Sequence, residues 1–131
     1  MYLYKGQRPL QSFKALTASL GKTISLLSLG KDDGLHFTFQ DGSRLRIFDR
    51  QETMFADKYM RTDDKLDEYL GAQLLGLEIK IGPSVRADSG VHDVAFLEVQ
   101  TSKGVFTMSN HNEHSGCYAG LSICVEFEAE D

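Results

Sequence analysis

The sequence has only two cysteines, Cys117 and Cys124. That is too few for a disulfide scaffold or a four-thiolate zinc site. It has two prolines and no proline-rich or serine-rich tract. Eight phenylalanines and five tyrosines argue against a disordered chain. No apolar run reaches the length of a membrane span, so no transmembrane helix is expected. Met1-Tyr2-Leu3-Tyr4-Lys5 lacks the long apolar core of a secretory signal, so a cytoplasmic chain is expected. There is no fixed-period repeat and no linker. What remains is ordinary globular composition, 41% apolar and 25% charged over 131 residues. One domain over 1–131 is expected, with a helical segment at 1–20 and a β-rich core at 21–128.

The net charge of -5 is unevenly spread. Residues 1–65 carry eleven Lys/Arg against eight Asp/Glu; residues 66–131 carry three against eleven. An acidic chain argues against general binding to duplex nucleic acid, whose affinity comes largely from phosphate neutralisation, and none is expected. A small anion needs only a few convergent donors. Arg44, Arg46, Arg50, Lys58 and Arg61 crowd one stretch of the basic half. They read either as an anion site or as a solvated strand face.

Along the chain, Leu10, Phe13, Leu16 and Leu20 follow Pro9 at near-helical spacing, with Gly21 as the stop. Thr23–Leu29 reads as a strand. Leu35–Phe39 and Arg44–Phe48 form the clearest hairpin. A three-residue loop with Gly42 left-handed puts Phe37 opposite Leu45 and Leu35 opposite Ile47. One face is then apolar, and the other holds His36, Thr38, Arg44 and Arg46. Residues 50–62 read as a loop or short strand. Thr62-Asp63-Asp64 reads as the N-cap of a short helix ending at Gly71. Leu75, Leu77, Ile79 and Ile81 alternate in a strand that Gly82-Pro83 ends, followed by an acidic loop at 83–92. Val94–Thr101 and Val105–Ser109 make a second hairpin about Lys103-Gly104, with a two-residue loop. Leu97, Val99, Phe106 and Met108 share one of its faces. His111–Gly116 reads as a polar loop, and Leu121–Phe127 as a last alternating strand. The expected class is α+β: a mainly antiparallel sheet of about six strands, with two short helices covering part of one face.

The chemistry concentrates in Asn110-His111-Asn112-Glu113-His114-Ser115-Gly116-Cys117-Tyr118. His111 and His114 flank Glu113, but zinc needs three or four ligands, and the helical His-Glu-x-x-His pattern is absent; no metal is expected. Cys117 lies near His114 with nothing to orient a base, so no catalytic residue is assigned. A binding reading fits these groups better. Asn112 pairs a donor with an acceptor, Glu113 accepts, and Tyr118 offers a stacking face; Tyr59 and His114 join them. Arg44, Arg46 and Arg61 supply forks for phosphate. The competing reading is a loop that caps the sheet, with Tyr118 in the core.

The stretches Lys58–Leu66, Gly71–Leu75, Thr101–Met108 and His111–Gly120 resemble a group of small phage and bacterial proteins. That group carries Cys-Cys-Glu before an Arg-Tyr-Met segment and ends in Asn-Glu-His-Asn-Gly-Tyr-Tyr-Gly-Gly. The resemblance spans 21–127. Here Met54-Phe55-Ala56 stands in place of Cys-Cys-Glu, Lys58 replaces the Arg, and Cys117 replaces the first Tyr; any role of that trio is lost. In size and architecture the chain also looks like the Thoeris anti-defence sponge proteins of phages. That likeness implies sequestration of cyclic ADP-ribose-type signals, without cleavage, near subunit interfaces; no binding residue is carried over from it.

The expected function is therefore a non-catalytic sponge for a nucleotide-derived immune signal, a cyclic ADP-ribose type or a cyclic oligonucleotide, without a cofactor. A homo-oligomer is expected, because short strands leave open sheet edges. The alternative is a phage-encoded protein–protein inhibitor of host defence whose acidic half steers a basic partner. An enzyme acting on nucleotides is the third reading.

Overall fold

The computed structural model describes residues 9–30, 33–50, 56–88, 90–116 and 123–129. Helix α1 (Pro9–Ser19) precedes strands β1 (Ile24–Gly30), β2 (Gly34–Phe39), β3 (Arg44–Asp49) and β4 (Ala56–Arg61). Then come β5 (Leu74–Ala87), β6 (Gly90–Thr101), β7 (Gly104–His114) and β8 (Ile123–Glu128). They form two antiparallel four-stranded sheets, ordered β1-β2-β3-β8 and β4-β7-β6-β5. Among the described residues the chain is thus mostly antiparallel β, with eight strands in place of about six. Their helical content is α1 and one 3-10 turn at Leu66–Tyr69, in place of two short helices. No helix among the described residues is long and apolar enough to cross a membrane.

The β2–β3 hairpin has the segregated register. Leu35 pairs with Ile47, His36 with Arg46, Phe37 with Leu45 and Thr38 with Arg44. Phe39 N donates to Ser43 O at 2.9 Å, which leaves the three-residue loop Gln40-Asp41-Gly42. Gly42 is left-handed at φ 87°. The Asp41 carboxylate closes the loop by accepting from Ser43 N at 2.9 Å. A hydrogen bond from Lys22, reinforced by Ser43, holds the Asp41 carboxyl down to about 2.

Leu35, Phe37, Leu45 and Ile47 are at most 1% exposed. They share one hydrophobic cluster with Leu97, Val99, Phe106 and Met108 of the other sheet, so the sheets pack their apolar faces together. The sheets also meet at a corner. Thr23 bridges Gln73, and Ile24 exchanges backbone hydrogen bonds of 2.8 Å with Gly71 and Ala72. Helix α1 lies against the edge strand β8.

Three stretches differ from expectation. The acidic loop at 83–92 is instead paired backbone: Ser84–Ala87 of β5 lie against Gly90–Asp93 of β6. Pro83 does not end the strand because it sits at a bulge between Ile81 and Ser84 on an edge strand, where a missing N–H breaks no ladder. A second bulge between Leu74 and Gly76 shifts the alternation, so Leu74 is buried while Leu75 is 54% exposed; Ile81 is 65% exposed. The polar stretch His111–His114 is strand, the end of β7, not loop.

Two smaller shifts accompany these. In the β6–β7 hairpin Thr101 pairs with Gly104, so the two-residue turn is Ser102-Lys103, one residue earlier than expected. Upstream of the 3-10 turn, Lys65 occupies the cap position with no side-chain cap. Thr62 Oγ1 instead accepts from Asp64 N at 3.1 Å and donates to Thr107 O at 2.8 Å. Thr62 and Asp64 therefore tie this segment to β7 instead of capping a helix.

Candidate functional site

Strand alternation decides where each candidate side chain goes. Burial of Leu45 and Ile47 turns Arg44 and Arg46 to the outer face of the first sheet, beside His36 and Thr38. β8 then brings Glu128 opposite Arg44 and Glu126 opposite Arg46. The resulting ion pairs are 3.0 and 3.3 Å long. Arg46 also donates from Nε to Asp33 O at 2.8 Å, and its guanidinium lies 3.8 Å over the Phe48 ring. These groups line a groove of about 1360 Å³, to which α1 contributes Lys14, Ala15 and Ala18, and the end of β3 contributes Arg50. The cations Lys14, Arg44, Arg46 and Arg50 there outnumber the carboxylates Asp33, Glu126 and Glu128.

Tyr59, Arg61 and Glu113 gather elsewhere, on the outer face of the second sheet. Tyr59 pairs with His111 and stacks on it, with ring centroids 4.8 Å apart and planes 9° apart. Its hydroxyl donates to Glu113 Oε2 at 2.5 Å, and Arg61 lies 5.2 Å from its ring. Burial, then the Glu113 hydrogen bond, pushes the Tyr59 phenol up to about 12. His111 shares a hydrogen bond with His92 (Nδ1 to Nε2, 2.8 Å) and another with Ser109 (2.9 Å). Burial, and secondarily His92 and Arg61, hold His111 below the usual imidazole range.

Asn112 and His114 alternate with Glu113 and therefore point between the sheets. Asn112 is fully buried. His114 Nδ1 accepts from Gly116 N at 2.9 Å, so its proton is on Nε2, which donates to Asp93 Oδ2 at 2.6 Å. Ser84 donates to the other Asp93 oxygen at 2.6 Å. Both ring nitrogens of His114 are committed to tying β6 to the end of β7. Nearby on the same inner face, Lys58 pairs with Asp49 at 3.2 Å, with 8% and 3% side-chain exposure. The interior of the sandwich is thus polar at this end and apolar at the other.

The structure brings the sequence-derived candidates into three groups: Arg44 with Arg46, Tyr59 with Arg61 and Glu113, and Asn112 with His114. Tyr118 lies outside the described residues. Sequence reading passed over Lys14, His36 and Phe48 as groove residues. The polar face of the β2–β3 hairpin already carried His36; Lys14 had no local signal, because only tertiary packing brings α1 there. The His92–His111 pair was hidden by reading 83–92 and 111–116 as loops. Among the described residues, no group of three or more His, Cys, Asp or Glu side chains is placed to hold a metal ion. No protein-family model, curated protein or solved structure matches this chain.

Proposed function

We propose that this chain is a non-catalytic binding protein that sequesters a small nucleotide-derived anion, a cyclic ADP-ribose type or a cyclic oligonucleotide, in the groove over the first sheet. The observation that carries the reading is the pair Arg44 and Arg46, side by side in a groove of about 1360 Å³ with Phe48 beneath one guanidinium. Ligand pockets commonly measure about 300–1,000 Å³, so the groove has room for a ligand of dinucleotide size. Each arginine rests on an exposed glutamate. Such exposed pairs contribute about 0–1 kcal/mol, and a phosphate that accepts two parallel guanidinium hydrogen bonds can displace them. Phe48 stacks under the Arg46 guanidinium and supports it. The resemblance to phage anti-defence sponges points the same way, and a groove built for hydrogen bonding suits storage.

Calorimetric titration with a cyclic ADP-ribose isomer and a cyclic dinucleotide tests this. Arg46→Ala should weaken binding about tenfold to a hundredfold, because a hydrogen bond to a charged group is worth roughly 1.5–3 kcal/mol. Arg61→Ala, on the other sheet, should leave it unchanged. If only Arg61→Ala weakens binding, the site is the Tyr59 face; if neither ligand binds wild type, the acidic protein–protein inhibitor replaces the sponge.

A further inference from the structure

We infer that β5 is the seam of a symmetric homodimer, in which two copies pair antiparallel about Ile79 and join their β4-β7-β6-β5 sheets into one. Strand β5 spans 14 residues and stands at the edge of its sheet. Its first residue is already engaged: Leu74 exchanges backbone hydrogen bonds with Gly21 and Lys22. Natural edges are blunted by prolines and bulges, and here Pro83 and the bulge between Ile81 and Ser84 blunt the far end of the strand. The segment Gly76–Gly82 lies between the two protected ends.

The charges of that segment select a second copy as its occupant. Within the chain Glu78 stands directly opposite Glu98, a like-charge pair, and Lys80 reaches Glu98 at 2.9 Å. Glu98 also holds Lys80 protonated above its usual range. Antiparallel pairing centred on Ile79 places the partner's Lys80 across from Glu78, and by symmetry Glu78 across from Lys80 a second time. The like-charge row Glu98–Glu78 then gains a cation on its open side, at cross-strand distance. On the opposite face the same register sets the partner's Ile81 beside Leu77. Ile81 is 65% exposed in the single chain, whereas Leu77 and Ile79 are buried, so the second copy extends an existing apolar row. A single register satisfies both faces.

Sedimentation of the ligand-free protein tests the seam independently of any binding reading. Wild type should sediment at twice the 14.6 kDa chain mass at high micromolar concentration. Glu78→Lys should be monomeric, since lysine then faces lysine; Lys80→Glu should be monomeric for the converse reason. An equimolar mixture of the two variants should recover the dimer, because every facing pair is again of opposite charge. Should either variant melt out, hydrogen exchange on wild type decides: amides in 76–82 should exchange more slowly at high concentration than at low. A monomeric wild type, variants as dimeric as wild type, a mixture that stays monomeric, or concentration-independent exchange would overturn the inference.

Discussion

His114 donates from Nε2 to Asp93 at 2.6 Å while its Nδ1 accepts from the Gly116 amide at 2.9 Å. A single imidazole therefore fixes both the end of β7 and its partner strand. Nitrogen-15 NMR should show the His114 proton on Nε2, with Nδ1 the bare acceptor. Asp93→Ala removes the acceptor and leaves a buried donor, at a cost of about 1–3 kcal/mol in urea denaturation. A proton on Nδ1, or an Asp93→Ala chain as stable as wild type, would contradict this.

Gly34 and Gly21 are both left-handed, at φ 89° and 84°, but only Gly34 is crowded. A Cβ at Gly34 would collide with Ile47 O, whereas one at Gly21 meets nothing within 4 Å. Gly21→Ala should cost about 1–2 kcal/mol, the backbone strain alone. Gly34→Ala should cost clearly more, since the β2–β3 pairing must shift. Equal losses in chemical denaturation would show that the contact relaxes freely.

The Tyr59 phenol should titrate near 12, not at its ordinary value of 10, in ultraviolet difference spectra against Tyr59→Phe. Its raised value means that the folded chain holds this proton more tightly than the unfolded chain. The associated stability is present below pH 10 and is lost as pH rises toward 12. Glu113→Gln should move the transition down, since the carboxylate disfavours the phenolate. His111 has the opposite sign: its lowered value means that the unfolded state takes the proton first, so acidification through the imidazole range destabilises the fold.

Cys124 is 2% exposed, and burial pushes its thiol up. In a Cys117→Ser background, a thiol-specific disulfide reagent should react with it slowly in buffer and at once in denaturant. Reductant with chelator should leave the melting temperature unchanged. Rapid native labelling would place the thiol at the surface.

The faces of both hairpins were legible because apolar and polar residues alternate in them; the turn residues marked the loop of β2–β3 but lay one position off in β6–β7. The Asp41-Gly42 loop admitted a single register that keeps Arg44 and Arg46 off the apolar face. The β5–β6 extension was not legible, because Gly82-Pro83 signals a stop on a central strand but is tolerated at a bulged edge. His111–His114 hid for a related reason. At that end of the sandwich both faces are polar, so Asn112 and His114 inside look like Glu113 outside. Sequence order also cannot say which sheet a strand joins. Arg46 and Arg61 are fifteen positions apart yet lie on different sheets.

Sequestration without turnover leaves the ligand intact on the protein, and mass spectrometry can read this. The protein is incubated with a cyclic ADP-ribose isomer, separated from unbound ligand, and heat-denatured; the supernatant is then weighed by mass spectrometry. The intact cyclic compound should be released in amounts that track the protein, and Arg46→Ala should retain far less. A linearised or hydrolysed product would make the protein an enzyme. An empty supernatant from folded wild type, with this compound and with a cyclic dinucleotide, would remove the ligand from the account altogether.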